Sequence, residues 1–143
     1  MNFHKTALLL ALTVSAGAAL AAPKAAPRYT TLDHSSEILA DKAGTDALWA
    51  ESLPVARMSK LYPLKKFGFV SEVEGGFDAT KTCVVTARAM LLPLNGKSFV
   101  FSPVKTATAF EALPNASLDQ CRALAKTKLR EAVGAVVASI IKD

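Results

Sequence analysis

Hydrophobic positions change their period twice along this chain. Between Leu32 and Lys60 they recur at helical spacing in two pieces. Ser35 or Ser36 is placed to cap the first, in which Ile38 and Leu39 precede Lys42 and Gly44 interrupts. Thr45 is placed to cap the second, which sets Leu48, Trp49 and Leu53 on one face until Pro54 ends it. A further short turn fits Val55 to Leu61, stopped by Pro63. From Lys66 the period drops to two, and Phe67 to Glu74, Thr82 to Leu92 and Lys97 to Lys105 read as strands rich in Val, Phe and Thr. Gly75 to Thr80 connects the first two. Pro93-Leu94-Asn95-Gly96 connects the next pair, and Asn-Gly favours a tight hairpin because both residues tolerate positive φ. A three-stranded antiparallel meander is expected. The period then returns to helical: Ser117 and Gln120 form a capping box, in which the serine oxygen accepts from an amide that the helix leaves unpaired and the glutamine reaches back.

The faces of these elements predict how they pack. The second strand carries Cys83, Val85, Ala87, Ala89 and Leu91 on one side, small enough to admit a helix closely, and Val84, Thr86, Arg88 and Met90 on the other. In the last helix Leu118, Cys121, Leu124, Ala125, Leu129, Ala132, Val133, Val136, Val137 and Ile140 form one broad apolar face. Ala132 to Ile141 is too short to span a bilayer, which needs about 20 residues, and reads as a buried helix end. Val137 and Ile141 extend the apolar arc, so a homodimer contact through this helix is a second use for it. The expected fold class is α+β: an N-terminal helical region, a three-stranded antiparallel β-meander and a C-terminal helix packed on the sheet.

The start of the chain changes the compartment. His4 and Lys5 open a short polar stretch, Ala7 to Leu20 is apolar, and Ala19-Leu20-Ala21 offers the small residues a signal peptidase needs. Residues 1–22 therefore read as a signal peptide cleaved near Ala21/Ala22, residues 23–31, with Pro23 and Pro27, as a flexible lead-in, and residues 32–143 as a single domain. Export to the periplasm or the exterior follows, with no integral membrane segment in the mature chain. The two cysteines, Cys83 and Cys121, would then meet an oxidising compartment and pair. Such a bond contributes roughly 3 to 4 kcal/mol on the chain-entropy model, and it pins the last helix to the second strand, as the apolar faces also require.

Charge and chemistry narrow the function less. The 143-residue chain is +5, mildly basic, and processing would remove only Lys5 from that balance. Arg122, Lys126 and Arg130 follow one ridge of the last helix with Lys128 beside it, and Lys60, Lys65 and Lys66 surround Tyr62. Both clusters are candidate contacts for an anionic ligand or partner, although Asp119 and Glu131 interrupt the ridge. Nucleic acid is not expected, because no aromatic stacking platform accompanies the charge. Asp33, His34 and Ser35 are sequence neighbours that fit a helix start better than a catalytic triad. Glu72 and Glu74 share a strand face, where Arg88 or Lys97 could neutralise them across strands. No metal set, cofactor or phosphate loop is expected, since Gly75-Gly76 lacks the spacing and the following helix.

Tyr62-Pro63 followed by Gly68-Phe69-Val70 and two strands resembles the opening of the periplasmic C-terminal domain of TonB-like energy transducers, over about thirty residues. That resemblance implies a periplasmic interaction domain, but it also implies a helix after the second strand, where Asn95-Gly96 instead turns into another strand. The function expected is a small exported non-enzymatic binding or envelope-associated protein, its partner an envelope protein or anionic envelope component. The alternative is an inhibitor of an exported hydrolase presenting Gly75 to Lys81 or Pro93 to Gly96.

Overall fold

The computed structural model describes residues 29–142; the signal segment and residues 23–28 of the lead-in lie outside them. The central hairpin follows from the period-two pattern. Strand β2 (Phe67–Phe77) pairs along its whole length with β3 (Cys83–Asn95), from Phe67↔Pro93 to Phe77↔Cys83. At the turning end, Gly75 has φ 136°, and a Cβ there would lie 1.9 Å from the Val84 carbonyl oxygen, so only glycine lets the strands approach. On the other side of β3 runs β5 (Lys105–Leu113), antiparallel, from Leu91↔Lys105 to Cys83↔Leu113. β1 (Thr30–Asp33) joins the outer side of β2 in parallel, Thr30 beside Gly68 and Asp33 beside Ser71, and β4 (Ser98–Phe99) folds back on the end of β3. The sheet is thus mixed and five-stranded, not a three-stranded meander.

Two differences from the expected strands have physical causes. The segment expected as the third strand, 97–105, contributes β4 and only the first residue of β5, because Pro103 has no amide for a ladder and Phe99 turns onto the sheet. Phe99 packs with Leu32 against Val70, Met90 and Leu92, a second small core, and rests so close to Gly68 that a Cβ there would meet its ring at 2.6 Å. The third long strand comes later, in the Thr-Ala alternation of β5. At the other end, Thr30 and Thr31 are not a free lead-in: they form β1, and Thr31 Oγ1 donates to Asp46 Oδ1 at 2.7 Å.

The first expected helical piece is also replaced. His34 and Ser36 donate their amides to the Ser71 and Val73 carbonyls, at 2.9 and 2.8 Å, so the chain keeps following β2 beyond β1. It then closes a turn as Leu39 and Ala40 donate to the Ser36 carbonyl. Helix α1 (Lys42–Ser52) is capped by Asp41, whose carboxylate accepts from the Gly44 amide at 2.7 Å, and Thr45 lies inside it, buried, bonding back to the Lys42 carbonyl. After Pro54, α2 (Val55–Leu61) forms as expected.

The long helix α3 (Leu118–Lys142) starts at the expected capping box: the Ser117 amide donates to Gln120 Oε1 at 2.8 Å and the Gln120 amide to Ser117 Oγ at 3.2 Å. It lies across β3 and β5. Cys83, Val85, Ala87, Ala89 and Leu91 are all fully buried beneath it, with Cys121, Ala125, Leu129, Ala132, Val133, Val136 and Ile140 pointing down. Cys83 and Cys121 are bonded, with their Cα atoms 5.7 Å apart. Helices α1 and α2 complete the layer: Met58 is buried, and Trp49 packs on Phe69 at 4.8 Å while its indole Nε1 donates to Ser71 Oγ at 2.8 Å. That bond satisfies the one polar atom of the indole inside the core.

Candidate functional site

The departure of residues 34–41 from helix opens a groove. Its one wall is the turn over residues 37–39 with the start of α1; its other is the first half of α3. The space is about 400 Å³. Leu39, Leu48 and Leu129, all buried, form its floor, and Ile38, 62% exposed, stands on its rim. Two of the three ridge cations, Arg122 and Lys126, line it together with Glu37 and Asp41.

These charges are not equivalent. Arg122 is occupied in holding the rim: its Nε donates to the Ile38 carbonyl at 2.8 Å, and its Nη1 lies 3.7 Å from Asp119. Asp41 is committed to the Gly44 amide. Lys126 is exposed and makes no ion pair among the described residues. Arg130, one turn further, is exposed outside the groove. Lys128 lies on another side of α3. Only 12% exposed, it is clamped between Glu111 of β5 and Glu131, and hydrogen bonds to Glu111 first and Glu131 second hold its ammonium above the usual lysine range. It is a strut between helix and sheet.

The second basic cluster does not join the first. The Lys66 carbonyl accepts from the Leu94 amide near the Pro93 end of β3, whereas the disulfide ties Arg122 and its neighbours to the Cys83 end. About ten residues of strand, roughly 30 Å, separate those ends. Lys60 and Lys65 are exposed near the former.

Other candidate residues resolve into local roles. The Asp33 carboxylate accepts from the Ser35 amide at 3.1 Å, and His34 stacks on Phe101 at 5.7 Å, so the three neighbours do not converge. Arg88 Nη1 donates to Glu72 Oε2 at 3.1 Å, the expected cross-strand neutralisation. In the loop that joins β2 to β3, the Asp78 carboxylate accepts from Thr80 Oγ1, the Thr80 amide and the Thr82 amide, at 2.7, 2.8 and 2.9 Å. The Thr80 side chain, then the Thr82 amide, hold its pKa below the ordinary carboxylate value. Burial and the nearby Asp46 charge push the Tyr29 hydroxyl up. Among the described residues no three His, Cys, Asp or Glu side chains group to hold a metal ion.

The groove wall from Glu37 to Asp41 was hidden by a helical reading of that stretch. Its available signal was Asp41 three residues before Gly44, a cap that moves the helix start past Ile38 and Leu39. Among the described residues no helix is long and apolar enough to cross a membrane. The disulfide is compatible with an exported protein. No family model matches the sequence, and no curated protein matches it. Among solved structures, the chain is similar to a PelC dodecamer from Paraburkholderia phytofirmans at 11% identity, with 78% of this chain and 90% of that chain covered and a TM-score of 0.40.

Proposed function

We propose that the protein is an exported, non-enzymatic binding protein that takes an anionic component of the cell envelope at the groove between residues 37–45 and α3. The carrying observation is an apolar floor of Leu39, Leu48 and Leu129 with Lys126 on the rim, uncommitted to any carboxylate among the described residues. An apolar group can displace water from the floor while a phosphate or carboxylate meets the ammonium. In this reading the chain is released to the periplasm or the exterior by cleavage near Ala21/Ala22, and the disulfide suits that compartment.

The test is retention of the purified protein on its own envelope fraction and on vesicles containing phosphatidylglycerol. Lys126→Glu combined with Arg130→Glu should lower retention by at least about tenfold, given roughly 1 kcal/mol for each cation near an anionic surface. Arg122 is left intact because it holds the rim. Unchanged retention by both materials sinks the proposal.

A second reading, an inhibitor of an exported hydrolase, is favoured by the loop after β2. Asp78 preorganises residues 78–82, and Phe77 beside it is exposed. In that case the Lys126 and Arg130 reversals leave inhibition intact, while Asp78→Ala weakens it.

A further inference from the structure

The Pro93 end of the sheet differs in charge from the rest of the molecule. It is built from residues 52–71, which lead through α2 into β2, and residues 89–110, which leave β3 and return as β5. These two stretches carry Arg57, Lys60, Lys65, Lys66, Lys97 and Lys105 and not one Asp or Glu. The Tyr62 ring packs on Phe67 at 5.3 Å, which holds the end of α2 against the start of β2, and Lys97 follows the turn out of β3. Arg57 donates to the Ile141 carbonyl, so α3 also finishes here, with Lys142 exposed and Asp143 next in sequence. Lys60, Lys65, Lys66 and Lys97 are exposed and make no ion pair among the described residues. Asp46, beside β1, is already paired with Lys42 and bonded by Thr31.

The same end exposes apolar side chains. Val100, Phe101 and Val104 are 44, 61 and 44% exposed, all within the five residues after β4. The Val100 and Val104 amides donate to the Pro93 and Leu91 carbonyls, each at 2.9 Å, so both ends of this loop are fastened to β3. Phe99 is the residue of the stretch that the small second core covers. We propose that this end of the protein rests on an anionic lipid bilayer, with Val100, Phe101 and Val104 entering the headgroup boundary and the lysines meeting the lipid phosphates.

The pairing of features selects that occupant. A soluble polyanion needs only the cations, whereas an anionic bilayer also removes the apolar loop from water. Charge elsewhere fixes the orientation: Glu74, Asp78 and Asp119 lie toward the Cys83 end, where an anionic surface would repel them. The chain enters the fold at the basic end too, because β1 runs parallel to β2 with Thr30 beside Gly68. Residues 1–28 add Lys24 and Arg28 and no acid. The groove at Arg122 and Lys126 lies toward the other end, so this surface is separate from it and does not rest on the groove's reading.

The test uses protein expressed from the full sequence with Val104→Cys carrying an environment-sensitive dye, the two native cysteines being bonded to each other. Vesicles of equal parts phosphatidylcholine and phosphatidylglycerol should shift its emission to the blue, and phosphatidylcholine alone should not. The same dye on Thr80→Cys, at the opposite end, should stay unchanged. Reversal of Lys65, Lys66 and Lys97 to Glu should raise the half-saturating lipid concentration at least about a hundredfold, and Phe101→Ser about tenfold. Lys126→Glu with Arg130→Glu should still reach the full shift at saturating lipid, so this surface and the groove are judged separately. Circular dichroism checks that each variant is folded. No blue shift at Val104→Cys overturns the proposal, as does an equal shift on phosphatidylcholine alone or at Thr80→Cys. Retention on dextran sulfate without a shift on vesicles also overturns it, because the lysines then serve a soluble polyanion.

Discussion

Replacing both Cys83 and Cys121 by alanine measures how much of the fold depends on the link between α3 and β3. The bond closes a stretch with a sequence separation of 38, which contains all of β3, β4 and β5. On the chain-entropy model this constraint on the unfolded chain contributes roughly 4 kcal/mol. Both residues are fully buried, so the lost sulfur contacts add to that figure. For a domain of about this size each kcal/mol moves the unfolding midpoint by roughly 4 to 6 °C, so the double variant should melt about 15 to 25 °C lower. Reduction of the native protein should give a similar shift in thermal unfolding followed by circular dichroism. The urea m-value should rise in both cases, because the unlinked chain exposes more surface on unfolding. A fall of less than about 5 °C would refute the reasoning: the apolar face of α3 would then hold its place on Val85, Ala87 and Ala89 without the bond.

Two further outcomes follow from buried and loop contacts. Ser71→Ala leaves the indole Nε1 of Trp49 buried without an acceptor and should cost about 1 to 3 kcal/mol in urea unfolding, and Trp49→Phe in the same background should cost less than it does alone if the two act as a pair. Asp78 titrates below its unfolded value in the native chain, so its contribution is fully present above the ordinary carboxylate pKa and is lost as pH falls through the lower folded value. Asp78→Asn should therefore flatten the acid limb of a plot of melting temperature against pH below about 4, and an unaltered limb would show that other carboxylates control it.

What could be read from the sequence was decided by strong local periodicity or by redundancy. β3 and α3 were legible because each presents an apolar face of its own period, and the cysteines on those two faces required the same packing independently. The capping box at Ser117 and the pairing of Glu72 with Arg88 were legible because both depend on short, fixed offsets. The rest was set by distant partners. β1 exists because Thr30 to Asp33 lie along β2, some forty residues ahead, and nothing in its own composition distinguishes it from a linker.

The same long-range control produces the groove. Ile38 and Leu39 have helical spacing relative to later residues, but the amides of His34 and Ser36 are taken by Ser71 and Val73, which holds the backbone extended just where a helix would have to begin. The turn that follows sends Leu39 inward and leaves Ile38 outside, and Arg122 fastens that turn from across the gap. A helix starting at Ser35 would use the Ile38 carbonyl within its own ladder and leave Arg122 without its acceptor. The basic ridge therefore divides by position: Arg122 maintains the wall, Arg130 stands clear of it, and Lys126 lines the groove without an ion pair among the described residues.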